Sequence, residues 1–234
     1  MNFGKRALTP EQLDDLTLSG KTLHKTLSSL KWINSFFGNH RQLSKAVLVY
    51  CKKNTSKNKY HIVDLGCGGG DCIYFISKKL KQHDINASFI GIDGNPESIS
   101  YANKQNFTSN QIRFMVADIL HKDFSIPNCD LLICSHFIYH FDNKSLIQFL
   151  KQLKKQKVKQ IIFSELYRSK IAYYTFKMIR YFIPISKMAK EDGLLAIQRS
   201  FSISELQSTL QQTNIQQFKI YKKPFFRMIV EIEP

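Results

Sequence analysis

The fold can be worked out from the stretch Tyr60-His-Ile-Val-Asp-Leu-Gly-Cys-Gly-Gly-Gly-Asp71. Its first half contains Ile62, Val63 and Leu65, a short apolar run that is typical of a buried strand in a parallel sheet. Glycines follow at once, and glycine adopts backbone angles that other residues avoid while letting a ligand approach the main chain. The order of strand, glycine-rich turn and helix therefore predicts a binding corner for a nucleotide-like ligand.

Two common glycine-rich motifs fit this turn poorly. A Walker phosphate loop needs a Lys and a Ser or Thr after its last glycine, whereas Asp71 and Cys72 stand there. A dinucleotide fingerprint needs a third glycine for close packing of helix on strand, and Asp71 occupies that position as well. The turn therefore disfavours a nucleoside triphosphate and weakens the case for a nicotinamide or flavin cofactor.

Four motifs in order resemble those of the class I methyltransferases that use S-adenosylmethionine. They are Val63-Asp-Leu-Gly-Cys-Gly-Gly-Gly-Asp71, Ile90-Gly-Ile-Asp-Gly-Asn-Pro96, Met115-Val-Ala-Asp-Ile119 and Cys129-Asp-Leu-Leu-Ile-Cys-Ser-His136. The resemblance spans roughly residues 60–165. The residue types agree with it, because this ligand carries no phosphate and its ammonium group favours a nearby carboxylate. The N-terminal Leu-rich region and the C-terminal hairpin also look like small-molecule methyltransferases that tailor quinones and polyketides.

The resemblance implies an α/β fold: a Rossmann-like, seven-stranded, mostly parallel sheet with a terminal antiparallel strand and helices on both faces. Residues 1–59 are expected to form an N-terminal helical extension that is a candidate lid. Residues 60–234 would form the methyltransferase domain, with an aromatic helical insert at about residues 167–200. The later strands are expected at 87–93, 111–117, 130–134 and 158–164, followed by a closing pair at 215–222 and 225–232.

The cofactor residues follow from matching the four motifs position by position. The resemblance assigns the methionyl end to the glycine-rich turn, the ribose to Asp93 and the adenine amino group to Asp118. An acid at the end of the second strand can accept both ribose hydroxyls, and Asn95 before Pro96 fits the alternative role of helix cap better than Asp93 does. A turn role is the alternative for Asp118. The predicted cofactor set is Asp64, Gly66, Cys67, Gly68, Gly69, Asp71, Asp93, Gly94, Asn95, Asp118, Ile119 and Ser135.

The methyl acceptor is expected where the fourth strand ends, since open α/β sheets bind ligands at the carboxyl ends of their strands. His136 and His140 follow that strand and are candidates for a general base, because imidazole titrates near neutral pH. The alternative is that both are wall residues bonded to the main chain. Further candidates for contact with the acceptor are Glu165, Tyr167, Tyr174 and Arg199, the last as an anchor for an anionic group.

Two apolar segments are candidate walls for the acceptor. Residues 23–37 carry Leu and aromatic side chains at helical spacing, a stripe that either packs in the core or lies over the cleft. Residues 171–183 are unusually aromatic, and their Lys and Arg side chains exclude a transmembrane helix. A buried helix, a hydrophobic substrate wall and an interfacial face remain open for this second segment.

Composition places limits on partners and on location. The net charge of +16 raises the question of nucleic acid or an anionic membrane surface. The basic run at residues 151–159 is nevertheless typical of a solvated helix end, and no nucleic-acid module accompanies it. Five cysteines without paired metal spacings predict free thiols and no metal centre. No signal sequence or membrane span is recognised, so a cytoplasmic protein is expected, with peripheral membrane contact left open.

The sequence as a whole predicts transfer of a methyl group from S-adenosylmethionine to a small, hydrophobic or aromatic acceptor, with S-adenosylhomocysteine as product. The chain lacks the Asn-Pro-Pro-Tyr pattern of amino-group and nucleic-acid methyltransferases, which favours oxygen as the methylated atom. An RNA methyltransferase and a non-catalytic S-adenosylmethionine-binding protein are the alternatives. A monomer and a homodimer both stay open.

Overall fold

A computed structural model describes residues 3–105, 111–121, 123–156, 158–215 and 217–234. The strands are β1 (Tyr60–Leu65), β2 (Ala87–Asp93), β3 (Ile112–Val116), β4 (Leu131–Ser135), β5 (Ile161–Leu166), β6 (Gln217–Lys223) and β7 (Arg227–Glu233). The helices are α1 (Gly20–Phe36), α2 (Asn39–Lys53), α3 (Asp71–Lys81), α4 (Pro96–Lys104), α5 (Asn143–Lys155), α6 (Lys170–Ile179), α7 (Lys187–Arg199) and α8 (Ile203–Gln211). Short 3₁₀ helices span Gln12–Asp14 and Ile138–His140.

The sheet has the strand order β3-β2-β1-β4-β5-β7-β6, which confirms the predicted fold class. Strands β1 to β5 are parallel, and β7 runs antiparallel to both β5 and β6. From β1 the chain adds β2 and β3 on one side of the sheet and then β4 and β5 on the other. The connections that follow β1 and β4 therefore lead away in opposite directions. In open α/β sheets the ligand crevice forms at such a switch point.

The core lies on both faces of the sheet. On one face, α2 and α3 bury Leu43, Val47 and Ile76 against β1, β4 and β5. On the other face, α5 and α8 bury Phe149 and Leu206 against β4, β5 and β7. Because both faces are covered, the central strands β1 and β4 are buried at nearly every position, as the apolar run in β1 predicts.

Most predicted elements are present, with shifted ends. Asn95 caps α4 as expected, and Ser202 and Glu205 form a capping box at the start of α8. The closing hairpin is also present. Strand β5 starts and ends later than predicted, so Glu165 is inside the strand and not past its end.

A short helical turn lies near the N terminus. The pair Thr9-Pro10 is typical of a helix start, but the turn follows Glu11 and lasts only three residues. The main-chain N–H groups of Gln12 and Leu13 donate to the carboxylate of Asp192 on α7. A tertiary contact therefore holds this turn, which local sequence rules do not anticipate.

The aromatic insert consists of α6, α7 and the loop between them. The helices approach closely at Gly193, where a Cβ atom would lie 2.6 Å from the Phe176 ring. The N-terminal helix α1 packs against α2, α4 and α7, so it lies between the sheet and the insert. A separate N-terminal extension and its movement as a lid stay predictions.

No helix within the described ranges is long and apolar enough to cross a lipid bilayer.

Candidate functional site

One cavity of about 710 Å³ lies at the carboxyl edge of the sheet, a volume within the usual range of small-molecule sites. One part of it, here called the cofactor corner, is formed by the turn at residues 66–71 and by the residues that follow β2 and β3. The other part, here called the acceptor chamber, is formed by residues 11–16, helices α1, α6 and α7, and residues 135–140, 166–167 and 225–227. The two parts are continuous.

The glycine-rich turn brings its main chain up to the cavity. Gly66, Gly68 and Gly70 have φ values of +72°, +51° and +76°, a region that strains residues with a side chain. A Cβ atom on Gly66 would lie 2.5 Å from the Phe137 ring. The N–H groups of Gly66 and Cys67 both donate to the carbonyl of Ile92, which ties the turn to β2. Glycine is therefore required at position 66 by both backbone angle and space.

A buried carboxylate, that of Asp64, stands beside this turn and suits a cationic ligand group. Asp64 lines the cavity, is 1% exposed, and its Oδ1 has no hydrogen-bond partner among the described residues. Burial, with the charges of Asp71 and Asp93, holds the pKa of Asp64 well above its usual range. A ligand ammonium would satisfy the free oxygen and favour the ionised form. Asp64 therefore fits the methionyl end of the expected cofactor.

Asp71 begins α3 and is tightly held. Its Oδ2 lies 2.6 Å from His40 Nε2 and accepts a hydrogen bond of 3.1 Å from the side-chain amide of Asn34. Burial raises its pKa, but the contacts with His40 and Asn34 outweigh that effect, so the pKa of Asp71 lies below its usual value. His40, Asp71 and Cys72 also form the one group in the described residues whose potential metal-ligand atoms lie within 4.8 Å of one another.

Asp93 ends β2 and points at the turn. Its Oδ2 accepts the N–H of Gly68 and its Oδ1 accepts the N–H of Asn95, both at 2.9 Å. Burial raises its pKa against the opposing effect of these two hydrogen bonds. Each carboxylate oxygen has a second acceptor site, so the geometry leaves room for the expected bonds to ribose hydroxyls.

The predicted adenine side of the corner is partly exposed. Ile119 and Leu120 line the cavity, and Ile119 is buried. Asp118 is exposed and does not reach the cavity wall; its Oδ1 accepts the N–H of Leu120 in the turn role named as its alternative. Gly94, Asn95 and Ser135 do line the cavity. The contact of Asp118 with adenine stays a prediction.

His136 is half-buried in the wall and adopts a φ of +53°, uncommon for a residue with a side chain. Its Nε2 lies 2.6 Å from Nη1 of Arg227, and because a guanidinium only donates, this nitrogen is the acceptor and carries no proton. Burial, followed by the positive charge of Arg227, holds the pKa of His136 well below its usual range. The ring is therefore neutral, and its basic nitrogen already has a donor.

His140 belongs to a different network. Its Nδ1 lies 2.6 Å from Oδ1 of Asp14, and its Nε2 lies 3.1 Å from the carbonyl oxygen of His136. Arg199 donates to the other oxygen of Asp14 at 2.6 Å. Burial raises the pKa of Asp14, but these partners outweigh it and lower the pKa to about 2. A histidine and a carboxylate are thus paired at the cavity wall.

Of the four residues predicted to contact the acceptor, one lines the chamber and three do not. Tyr167 lines the chamber. Arg199 is buried and paired with Asp14, so it is not available as an anchor for an anionic acceptor. Tyr174 lies on the outer side of α6 and is 53% exposed.

Glu165 lies behind the wall and not in the chamber. Its Oε1 accepts the N–H groups of Phe137 and Ile138, and its buried Oε2 has no partner among the described residues. Burial, against the opposing effect of these hydrogen bonds, raises the pKa of Glu165 to about 8. The side chain therefore supports the loop that carries both histidines.

The leucine stripe of α1 faces the cavity. The predicted stripe residues that line it are Leu23, Leu27, Leu30, Ile33 and Phe37. Leu27 comes within 3.7 Å of a Cβ position built on Gly68 and within 3.6 Å of one built on Gly69, so α1 covers the glycine-rich turn directly.

Sequence reasoning missed Arg227. It starts β7, lies opposite Leu166 of β5 in the antiparallel register, and is 1% exposed. Its partners, His136 and the carbonyl of Phe37, belong to segments that are far apart in the chain. A lone arginine in a C-terminal hairpin gives no local signal of such a role.

The fold and the site together define a class I methyltransferase that depends on S-adenosylmethionine. A family model described as a methyltransferase domain matches residues 56–224. Since this range covers most of the chain, the protein belongs to that methyltransferase family. No curated protein sequence matches the chain.

Solved methyltransferase structures share the fold. Magnesium protoporphyrin IX methyltransferase (ChlM) from Synechocystis PCC 6803, with bound SAH, is 17% identical, with a TM-score of 0.55 over 83% of this chain and 84% of its own. The plantazolicin methyltransferase BpumL, in complex with SAH, is 19% identical, with a TM-score of 0.59 over 91% and 95%. Human N-acetylserotonin methyltransferase, in complex with SAM, is 14% identical with a TM-score of 0.63. The match covers 90% of this chain but only 55% of that protein. At such identities the likeness establishes the fold.

Proposed function

We propose that this protein methylates a small, apolar or aromatic acceptor, with oxygen as the favoured methylated atom. The observation that carries the proposal is the continuity of the cavity from the cofactor corner into the acceptor chamber. Leucine, isoleucine and phenylalanine side chains of α1 and α6 line that chamber, so it suits a small apolar molecule better than a polar polymer. Structural relatives named for a porphyrin and for N-acetylserotonin support an acceptor of this kind.

The chain's contribution is to bind and orient both reactants. When bound, S-adenosylmethionine supplies an electrophilic methyl group and leaves as S-adenosylhomocysteine. In this proposal Asp64 pairs with the ammonium, Asp93 accepts from the ribose, and Ile119 supports the adenine. The apolar walls exclude water and hold the acceptor in line, and such positioning accounts for much of the rate in bimolecular transfer.

His140 fits the role of general base better than His136. The Nδ1 contact requires a proton on that nitrogen, because the carboxylate of Asp14 only accepts. Donation of Nδ1–H to Asp14 fixes the tautomer of the ring, and Nε2 is then the nitrogen that can take up a proton from an acceptor. The basic nitrogen of His136 is instead engaged by Arg227.

The first experiment is calorimetric titration of the protein with S-adenosylhomocysteine, beside NADH as a control ligand. Asp93→Ala should weaken binding by about 2 kcal/mol, roughly thirtyfold, because charge-assisted hydrogen bonds are lost. Asp93→Asn, which keeps one oxygen for the main chain, should retain more affinity. The matched control is Asp123→Ala, which makes the same charge change at an exposed loop residue.

The outcomes separate the alternatives. Binding of NADH alone, or an equal effect of Asp93→Ala and Asp123→Ala, would refute the cofactor assignment. If S-adenosylhomocysteine binds, release of this product from S-adenosylmethionine is then measured with a panel of phenols and other apolar hydroxy compounds. Cofactor binding without turnover of any panel member would favour the non-catalytic alternative, and turnover that requires RNA would replace the small acceptor.

A further inference from the structure

One side of helix α6 and the turn that follows it carries exposed apolar side chains. Ile171, Tyr174, Met178, Tyr181 and Phe182 recur at helical spacing, and we call this set the α6 patch. Their exposed fractions range from 53% for Tyr174 to 88% for Phe182. Contiguous exposed apolar surface of this kind usually marks a binding surface.

Basic residues surround the patch, with no acid in the same stretch of sequence. Residues 167–190 contain no Asp or Glu, and the first acid after them is Glu191. Lys177 lies beside the patch residues, Lys170 and Lys187 are exposed on either side of them in the sequence, and Lys187 lies 4.0 Å from Glu191. The guanidinium of Arg180 lies 5.0 Å from the ring centre of Tyr181. The surface is therefore apolar at its centre and positive at its rim.

The opposite side of the same helix lines the acceptor chamber. Ala172, Thr175, Phe176 and Ile179 face the cavity, while the patch faces outward. Helix α6 therefore separates the acceptor chamber from the outer surface that carries the α6 patch.

We propose that the α6 patch binds the surface of an anionic lipid bilayer. An interfacial helix places apolar and aromatic side chains at the headgroup level while its lysines reach lipid phosphates, and this patch has both parts. Each lysine or arginine near an anionic membrane adds attraction, and the net charge of +16 acts in the same direction.

Other occupants fit the surface less well. A second copy of this chain in a symmetric dimer would bring the same lysines together, and like charges would repel. RNA would pair with the lysines and stack on tyrosine, but Ile171 and Met178 offer neither a flat ring nor a hydrogen bond to it. Lipid acyl chains satisfy the aliphatic and aromatic members together.

The position of α6 also suggests how the acceptor arrives, a consequence that rests on the proposed function. An apolar acceptor dissolved in the bilayer would reach the chamber past α6 without crossing water. Membrane binding itself does not depend on methyl transfer, so the two can fail separately.

The test is flotation of the full-length protein with phosphatidylcholine vesicles, with and without phosphatidylglycerol. Wild type should float with the anionic vesicles, stay behind with the neutral ones, and detach as salt rises. The double variant Met178→Ser with Phe182→Ser should reduce the bound fraction about tenfold, because both apolar side chains lose their contact with lipid. Leu8→Ser, at a residue 84% exposed outside the patch, is the matched apolar control and should bind as wild type does.

A charge pair tests whether the attraction is local. Lys177→Glu with Lys187→Glu should lower anionic vesicle binding at least tenfold, whereas Lys151→Glu with Lys155→Glu on α5 makes the same net charge change away from the patch. Equal loss in both pairs would overturn the proposal in favour of diffuse charge attraction. Failure of wild type to float with anionic vesicles would also overturn it.

Two further measurements, sedimentation without lipid and retention on RNA, test the other possible occupants of the patch. Self-association that Phe182→Ser abolishes would assign the patch to a second copy and refute membrane binding. RNA retention lost in the lysine variant, without vesicle binding, would assign it to nucleic acid. Cofactor affinity measured in the same variants should be unchanged, which shows that the cofactor corner is intact and separates this test from that of the proposed function.

Discussion

The cofactor corner and the acceptor chamber are built in opposite ways, although they share one cavity. Nearly all residues of the corner follow the carboxyl ends of β1, β2 and β3, so short motifs bring them together through the sheet itself. The chamber is assembled from α1, α6, α7 and the turn before β7, segments that lie far apart in the chain. The corner therefore depends on main-chain geometry, and the chamber depends on side-chain packing between distant helices.

The largest effect is expected at the turn of the corner. Gly66→Ala should destabilise the protein by about 4 kcal/mol and abolish S-adenosylhomocysteine binding, because it combines a positive φ with a clash against Phe137. Gly20→Ala is the matched control: φ is +69°, but no atom lies within 4 Å of the added carbon. It should cost only about 1 kcal/mol and leave binding intact. Urea unfolding and calorimetry measure both, and equal costs would contradict the steric explanation.

Glu165, which supports the loop behind the chamber, should make the stability of the protein depend on pH. Folded Glu165 has a pKa of about 8, whereas its unfolded value is 4.5, so wild type loses stability as pH rises from about 5 to 8. Glu165→Gln keeps the acceptor for Phe137 and Ile138 but cannot ionise. It should match wild type at pH 5 and exceed it at pH 8 by on the order of 3 kcal/mol in the free energy of unfolding. A constant difference between the two proteins across this range would exclude the raised pKa.

Within the chamber, neighbouring aromatic residues on opposite sides of α6 should differ. Phe176→Ala removes a wall side chain that packs against Gly193 and should cost about 2 kcal/mol of stability. Tyr174→Ala alters the outer side and should cost about 0.5 kcal/mol. Neither should change cofactor affinity, and with an identified acceptor only Phe176→Ala should slow turnover. Loss of turnover in Tyr174→Ala would place the acceptor on the outer face.

An effect smaller than that of Phe176→Ala is expected where the N-terminal segment joins the chamber. Asp14→Asn weakens the contacts with His140 and Arg199 and should cost about 1.5 kcal/mol near neutral pH. Because Asp14 has a lowered pKa of about 2, its contribution is present above about pH 4 and lost as pH falls towards 2, so the gap to wild type should close there. Asp15→Asn is the neighbouring control: among the described residues the Asp15 carboxylate bonds only Thr17, so this change should not alter stability.

Hydrogen exchange locates the effect of Asp14→Asn. Faster exchange confined to residues 12–36 would show that the N-terminal segment opens by itself, as a lid would. Uniform acceleration across the sheet would instead show that the segment belongs to the global folding unit, and the lid hypothesis would then be abandoned.

Much of the corner could be predicted because its motifs are local. A strand followed by glycines, and an acid at the next strand end, place Asp64, Gly66 and Asp93 at one edge of a parallel sheet. Asp118 shows the limit, because the same pattern fits a turn residue whose carboxylate caps its own main chain. The acceptor side was predicted less well: Glu165 and Tyr174 have the right chemistry but lie behind and outside the wall.

The sequence by itself predicted a mostly parallel seven-stranded sheet and the class of enzyme, because four short motifs in order resemble those of one family. Only the tertiary structure decided the protonation of His136, the pairing of His140 with Asp14 and the burial of Arg227. Such states depend on burial and on partners that are distant in the chain. Local residue patterns do not specify which distant residues will meet. The fold could therefore be predicted from the sequence, but the contacts of these side chains could not.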